Sequence, residues 1–158
     1  MKIYAVIDTN VLVSALLRWD SVPGAVMEQA LIGSIVPLLS DDIMAEYEEV
    51  LRRKKFPFRE QDIRTLTDGI RMRGVFIDLA KVNENMPDPK DVIFYEVTME
   101  ARKNDDAYLV TGNVKHFPLK PYVVTPREML TILENGGKPQ PEETPDDDDT
   151  ILNESIRF

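Results

Sequence analysis

Ile3-Tyr4-Ala5-Val6-Ile7-Asp8-Thr9-Asn10-Val11-Leu12-Val13-Ser14-Ala15-Leu16-Leu17 decides the fold class of this 158-residue chain. The apolar run Ile3 to Ile7 has the length and unbroken hydrophobicity of a strand buried on both faces. Asp8 ends that run, and a helix-like segment begins at once. A strand that stops at a carboxylate and turns straight into a helix is the first βα unit of an α/β domain. Ligands of such sheets bind in the crevice beyond the carboxyl ends of the strands, so a carboxylate there faces an open site rather than the core. The competing reading is an ordinary turn or N-cap aspartate.

The same alternation continues downstream. The pattern predicts strands over about Lys2–Ile7, Ile35–Leu39, Val75–Leu79, Tyr108–Thr111 and Tyr122–Thr125. Between and after them it predicts helices over about Asn10–Leu17, Pro23–Ile32, Asp41–Lys55, Glu60–Met72, Asp91–Arg102 and Pro126–Leu133. Gly33 and Gly74 read as helix ends, Ser40 as an N-cap and Pro57 as a stop. Pro37 suggests that the second strand lies at an edge or is ending there. Strands separated by helices imply an α/β fold with a central parallel sheet of four to five strands and right-handed crossovers.

Composition narrows the chemistry. With no cysteine, disulfides, thiolate metal sites and cysteine nucleophiles are excluded, and a single histidine, His116, excludes a multi-histidine metal site. Hydrophobic residues at 43% and charged residues at 30% are those of a soluble globular protein. No signal-peptide pattern follows Met1, and no apolar stretch approaches ~18 residues, so the expectation is a cytoplasmic protein with no membrane association. The net charge of −9 is unevenly spread, because residues 139–158 hold seven acids against one base. The expected organisation is therefore a domain over 1–137 and an acidic, flexible tail over 138–158. The body is only mildly acidic, and its charge does not exclude a nucleic-acid partner.

Carboxylates recur at the other junctions. Glu46 borders the apolar stripe Ile43, Tyr47, Val50 and Leu51 of its helix, which lets it reach into a neighbouring crevice, although an acidic rim on an amphipathic helix reads equally well. Asp88 and Asp91 precede a helix, where capping normally needs only one acid. After Leu109-Val110-Thr111, Gly112 allows close backbone approach and Asn113 offers a neutral oxygen ligand or an amide donor. A parallel sheet would gather Asp8, Glu46, Asp91 and Asn113 at the carboxyl edge of its strands. Three carboxylates in one crevice repel each other unless protonated or neutralised by a cation. An oxygen-only set selects a hard ion, Mg2+ or Mn2+, suited to activating water against a phosphodiester.

Ile7-Asp8-Thr9-Asn10-Val11-Leu12-Val13-Ser14, Ser40 with Glu46 and Leu51, Asp88-Pro89-x-Asp91, and Leu109-Val110-Thr111-Gly112-Asn113 with His116-Phe117 together resemble PIN domains. They are most similar to the VapC-like toxins of bacterial toxin–antitoxin pairs. The resemblance spans about Met1 to Leu133. It implies a three-layer α/β/α fold, Mg2+- or Mn2+-dependent endoribonuclease activity, a homodimer and a cognate antitoxin. By position it assigns Asp8, Glu46 and Asp91 as catalytic metal ligands, and Asn113 where many relatives carry a fourth aspartate. That substitution puts a second metal in doubt and makes Asp88 and Asp106 substitute ligands. Thr9, Asn10 and Thr111 become hydrogen-bond partners that orient the ligands. The cationic candidates for RNA contact are Arg18, Arg52, Arg53, Lys54, Lys55 and Lys115, with a helix-end decoration as the competing reading of the basic run. His116 reads as a packing or hydrogen-bonding residue rather than a catalyst.

Other activities built on an aspartate after the first strand fit less well. A haloacid-dehalogenase phosphatase needs a second Asp where Asn10 stands, and a receiver domain needs paired acids and a late lysine where Thr9 and Pro126 stand. A non-catalytic PIN-like module that binds RNA or protein is the alternative from a different class. Asn113 favours it, and Asp8, Glu46 and Asp91 count against it.

Overall fold

The computed structural model describes residues 2–78 and 91–136. Five parallel strands run in the order β3-β2-β1-β4-β5: β1 Ile3–Ile7, β2 Ile35–Leu39, β3 Val75–Phe76, β4 Tyr108–Val110 and β5 Val123–Val124. Among the described residues six helices accompany them: α1 Thr9–Leu17, α2 Val22–Ile32, α3 Asp41–Leu51, α4 Glu60–Arg73, α5 Val92–Ala101 and α6 Pro126–Glu134. The parallel sheet expected from the alternating pattern is present. The three-layer α/β/α architecture follows from the strand order.

Right-handed crossovers dictate the layers. The chain steps outward from β1 to β2 to β3, which places α1 to α4 on one face. It then returns past β2 and β1 to β4, which sends α5 across the other face, where it packs on β1, β2 and β4. Helix α6 returns to the first face against α2. Both faces of the central strands are thus covered. Every residue of β2 is buried, as are Ala5, Val6 and Ile7 of β1.

Pro37 is not at an edge, because β2 lies between β1 and β3 with Ala5 opposite Pro37. Polar groups alternate sides along a strand. The carbonyl of Leu39 accepts from Ile77 N on the β3 side, so Pro37 also directs its backbone toward that side. The pairing with β3 starts only at Leu38 opposite Val75, and the absent N–H therefore costs no ladder bond.

Several boundaries differ from the sequence expectation. Helix α3 ends at Leu51 rather than at Lys55, since Arg53 N bonds the Val50 carbonyl in a tighter turn and Arg52 leaves helical geometry. The third strand is two residues long, and Leu79 lies outside the described residues. Met72 is 86% exposed, whereas Met27 and Met44 are buried. Helix α2 ends as expected at Gly33, whose φ of 98° suits only a residue without a Cβ. The tail beyond 136 and Asp88 both fall outside the described residues.

Gly74 closes α4 for a steric reason. A Cβ there would stand 2.4 Å from Leu39 Cδ1 and 2.9 Å from the carbonyl oxygens of Ile70 and Pro37. Gly74→Ala is expected to destabilise the protein by about 1–3 kcal/mol, because the contacts are backbone and buried core. Urea unfolding should show a lower midpoint at unchanged slope.

Candidate functional site

The reversal of strand order falls between β1 and β4, and the chain ends of these two neighbours form the crevice where such sheets bind ligands. Asp8 N donates to the Val110 carbonyl at 2.9 Å, which continues the sheet one residue past β1 and aligns Asp8 with Thr111. The Thr111 hydroxyl, fully buried, donates to Asp8 Oδ2 at 2.7 Å. Asn10 Nδ2 donates to the same oxygen at 3.2 Å, and Asn10 Oδ1 accepts from Gly112 N at 3.1 Å. These bonds stitch the turn after β1 to the turn after β4 across more than a hundred residues of sequence.

Asp8 sits at the N-cap of α1 but makes no side-chain capping bond, so the plain N-cap reading does not account for it. Its carboxyl is buried, and this desolvation pushes its pKa up to about 7 against the pull of the Thr111 bond; the Asp91 charge raises it further. Neighbouring Thr9 is buried too, with a hydroxyl that has no hydrogen-bond partner among the described residues. Asp91 precedes α5, again without capping it, and its side chain is only 13% exposed. His116 Nδ1 lies 3.5 Å from Asp91 Oδ2.

Asn113 is exposed beside this pair. Its N–H donates to the Thr111 hydroxyl at 3.0 Å, and its carbonyl accepts from His116 N in a single 3-10 turn, Val114–His116. Gly112 is not needed for close approach, because a Cβ there would meet Asn10 only at an ordinary 3.5 Å.

Glu46 is half-buried on α3, next to Tyr47, whose hydroxyl donates to the carbonyl of Ile7 at the end of β1. That bond pins α3 over the carboxyl edge of the sheet. The Glu46 charge acts along its own helix on Arg53. Among the described residues, no three Asp, Glu or His side chains are arranged to hold a metal ion. Asp8 and Asp91 interact electrostatically at this edge, and Glu46 stands on the helix that Tyr47 pins over it. Asp106 precedes β4 and so lies at the amino edge, the far end of a parallel sheet, which removes it as a substitute ligand. Asp88 falls outside the described residues.

The cationic candidates separate in the same way. Arg52 grips Glu60 with contacts of 2.8–3.1 Å, and Arg53 holds Glu49 at 2.9 Å, so both charges are engaged within the molecule. Lys54 and Lys55 are exposed, and Lys55 Nζ stands 5.1 Å over the Phe56 ring, which stacks on Phe58. Lys115 is exposed on the 3-10 turn beside Asn113. Arg18 follows the far end of nine-residue α1, about 13 Å along the axis from Asp8. One contributor escaped the sequence reading: Tyr47 looked like core, and only its hydroxyl hinted at a buried acceptor.

Sequence comparison matches residues 4–115 to the PIN domain, and the chain belongs to that family. PIN domains are generally nucleases dependent on divalent metal. Neither the curated proteins nor the solved structures yield a match. Among the described residues, no helix is long and apolar enough to cross a membrane.

The raised pKa has a thermodynamic consequence. Asp8 titrates near 7 in the folded chain and near 4 when unfolded, so the folded state holds the extra proton between those values. Stability therefore falls as pH rises through that window. In metal-free buffer Asp8→Asn should be more stable than the parent at pH 8 by about 2–4 kcal/mol. The gap should shrink toward zero as pH falls to about 4. Thermal melts across pH measure both.

Proposed function

We propose that this protein is a Mg2+- or Mn2+-dependent endoribonuclease and the toxin of a toxin–antitoxin pair. The observation that carries the reading is the buried Asp8 carboxyl facing Asp91 at the β1–β4 crevice, with its pKa pushed up to about 7. Nothing in the fold requires this arrangement, since neither carboxylate caps its helix. Two carboxylates suit Mg2+ and Mn2+, which take one or two such ligands and fill the remaining positions with water and phosphate oxygens. Asp8 and Asp91 would hold the ion, with Glu46 joining directly or through water. Bound there, the ion supplies a water of lowered pKa and neutralises phosphate charge.

The protein's own groups do the rest. Thr111 and Asn10 fix the Asp8 carboxylate by their hydrogen bonds to Oδ2. Glu46 or Asp91 accepts the proton of the attacking water. Asn113 offers an amide at the rim, and its neutrality favours a single ion over a pair. Lys115, Lys54 and Lys55 supply the exposed positive charge for the RNA backbone, while Arg52 and Arg53 contribute only by giving up their present partners. The toxin role, the cognate antitoxin, the homodimer and the cytoplasmic location rest on the resemblance to VapC-like toxins.

The expected result is cleavage of single-stranded RNA in Mn2+ or Mg2+ that EDTA stops and Asp8→Asn lowers by at least about a hundredfold. Saturating Mn2+ should raise the melting temperature of the parent and leave that of Asp8→Asn unmoved. Induced expression of the parent should arrest bacterial growth, and expression of Asp8→Asn should not. The second reading is a PIN-like module that binds without cutting, favoured by Asn113. RNA retention with no metal-dependent cleavage would select it.

A further inference from the structure

We propose that His116 is a positioning residue that holds the Asp91 carboxylate toward Asp8, so that the pair stands ready for a divalent cation. The inference rests on the metal-dependent reading above and names a side chain that this reading does not need. His116 Nδ1 lies 3.5 Å from Asp91 Oδ2, with the imidazole 51% exposed and the carboxylate 13%. Asp91 occupies the N-cap of α5 yet has helical backbone angles and makes no capping bond, so the helix end does not fix its orientation.

The imidazole, in contrast, is held in place. Its backbone N–H bonds the Asn113 carbonyl, Asn113 N–H bonds the Thr111 hydroxyl, and that hydroxyl bonds Asp8. The next residue, Phe117, is 5% exposed and anchors the turn in the core. A chain of contacts thus runs from one carboxylate, through the turn after β4, to the other. An Nδ1–H directed at Oδ2 is the support that metal-ligating carboxylates commonly receive. The distance of 3.5 Å is long for a hydrogen bond, and such contacts shorten when the reacting complex forms.

Two isosteres separate this role from bulk packing. An Asn side chain puts its amide nitrogen near the place of Nδ1, whereas Gln puts it near Nε2. With the full chain and Mn2+ alone, followed by electron paramagnetic resonance, His116→Ala and His116→Gln should weaken Mn2+ binding by about tenfold. His116→Asn should stay within about threefold of the parent. Metal-free melting temperatures should agree within a few degrees, because the side chain is half exposed. In RNA cleavage, the Ala and Gln variants should lose kcat with KM nearly unchanged. Mn2+ affinity unaffected by His116→Ala, or an Asn variant as weak as the Ala variant, overturns the proposal. His116-dependent Mn2+ binding without RNA cleavage sinks the nuclease reading and leaves the positioning role standing. Cleavage with His116-independent Mn2+ affinity does the reverse, and a parent that binds no Mn2+ overturns both.

Discussion

The hydrogen bond from the buried Thr111 hydroxyl to Asp8 is the interaction on which the site depends. A carboxylate with 7% exposure is tolerated only where hydrogen bonds replace water. Thr111, Asn10 and the Thr9 N–H supply three such donors around Asp8. Even so, desolvation outweighs them, as the raised pKa records. The protein therefore keeps an unfavourable group at the one point of the sheet where strand order reverses. Residues retained against their own stability are characteristic of functional sites.

The rest of the architecture serves that point. Tyr47 fixes α3 to the last carbonyl of β1, and α5 crosses the opposite face to bring Asp91 to the same edge. The capping bonds follow ordinary rules elsewhere: Ser21, Ser40 and Thr125 each accept from a first-turn N–H of their helices. Asp8 and Asp91 make no such bond although an aspartate can, and neither does Arg59, whose side chain has no acceptor. Local rules are obeyed where only folding is at stake and set aside at the crevice.

Strands β1 and β2 were legible in the sequence because burial on both faces writes an unbroken apolar run, and the helices because their apolar residues recur at helical spacing. The edge strands were harder to bound, since a two-residue strand has no periodicity to read. Pro37 misled because its cost depends on which side its backbone faces, a property of register rather than of composition. Asp8, Asp91 and Asn113 were legible as junction residues. The direction of the Glu46 side chain was not, because a helical position specifies a face and not the reach of a flexible side chain. Likewise the pairing of Arg52 with Glu60 joins two helices across a loop and the approach of His116 to Asp91 joins two junctions of the sheet, which no local pattern reveals.

The register of β1 against β4 has a consequence for biosynthesis. Ile7 pairs with Val110, and Val110 with Val124, so the neighbour that completes the crevice is translated long after Asp8. A growing polypeptide can fold its first helices early, but Asp8 stays hydrated on the ribosome until the last third of the chain emerges. Pairings of such long range also fold slowly. In a half-made copy the crevice is thus still unbuilt, and Asp8 lacks the partner that holds its carboxylate.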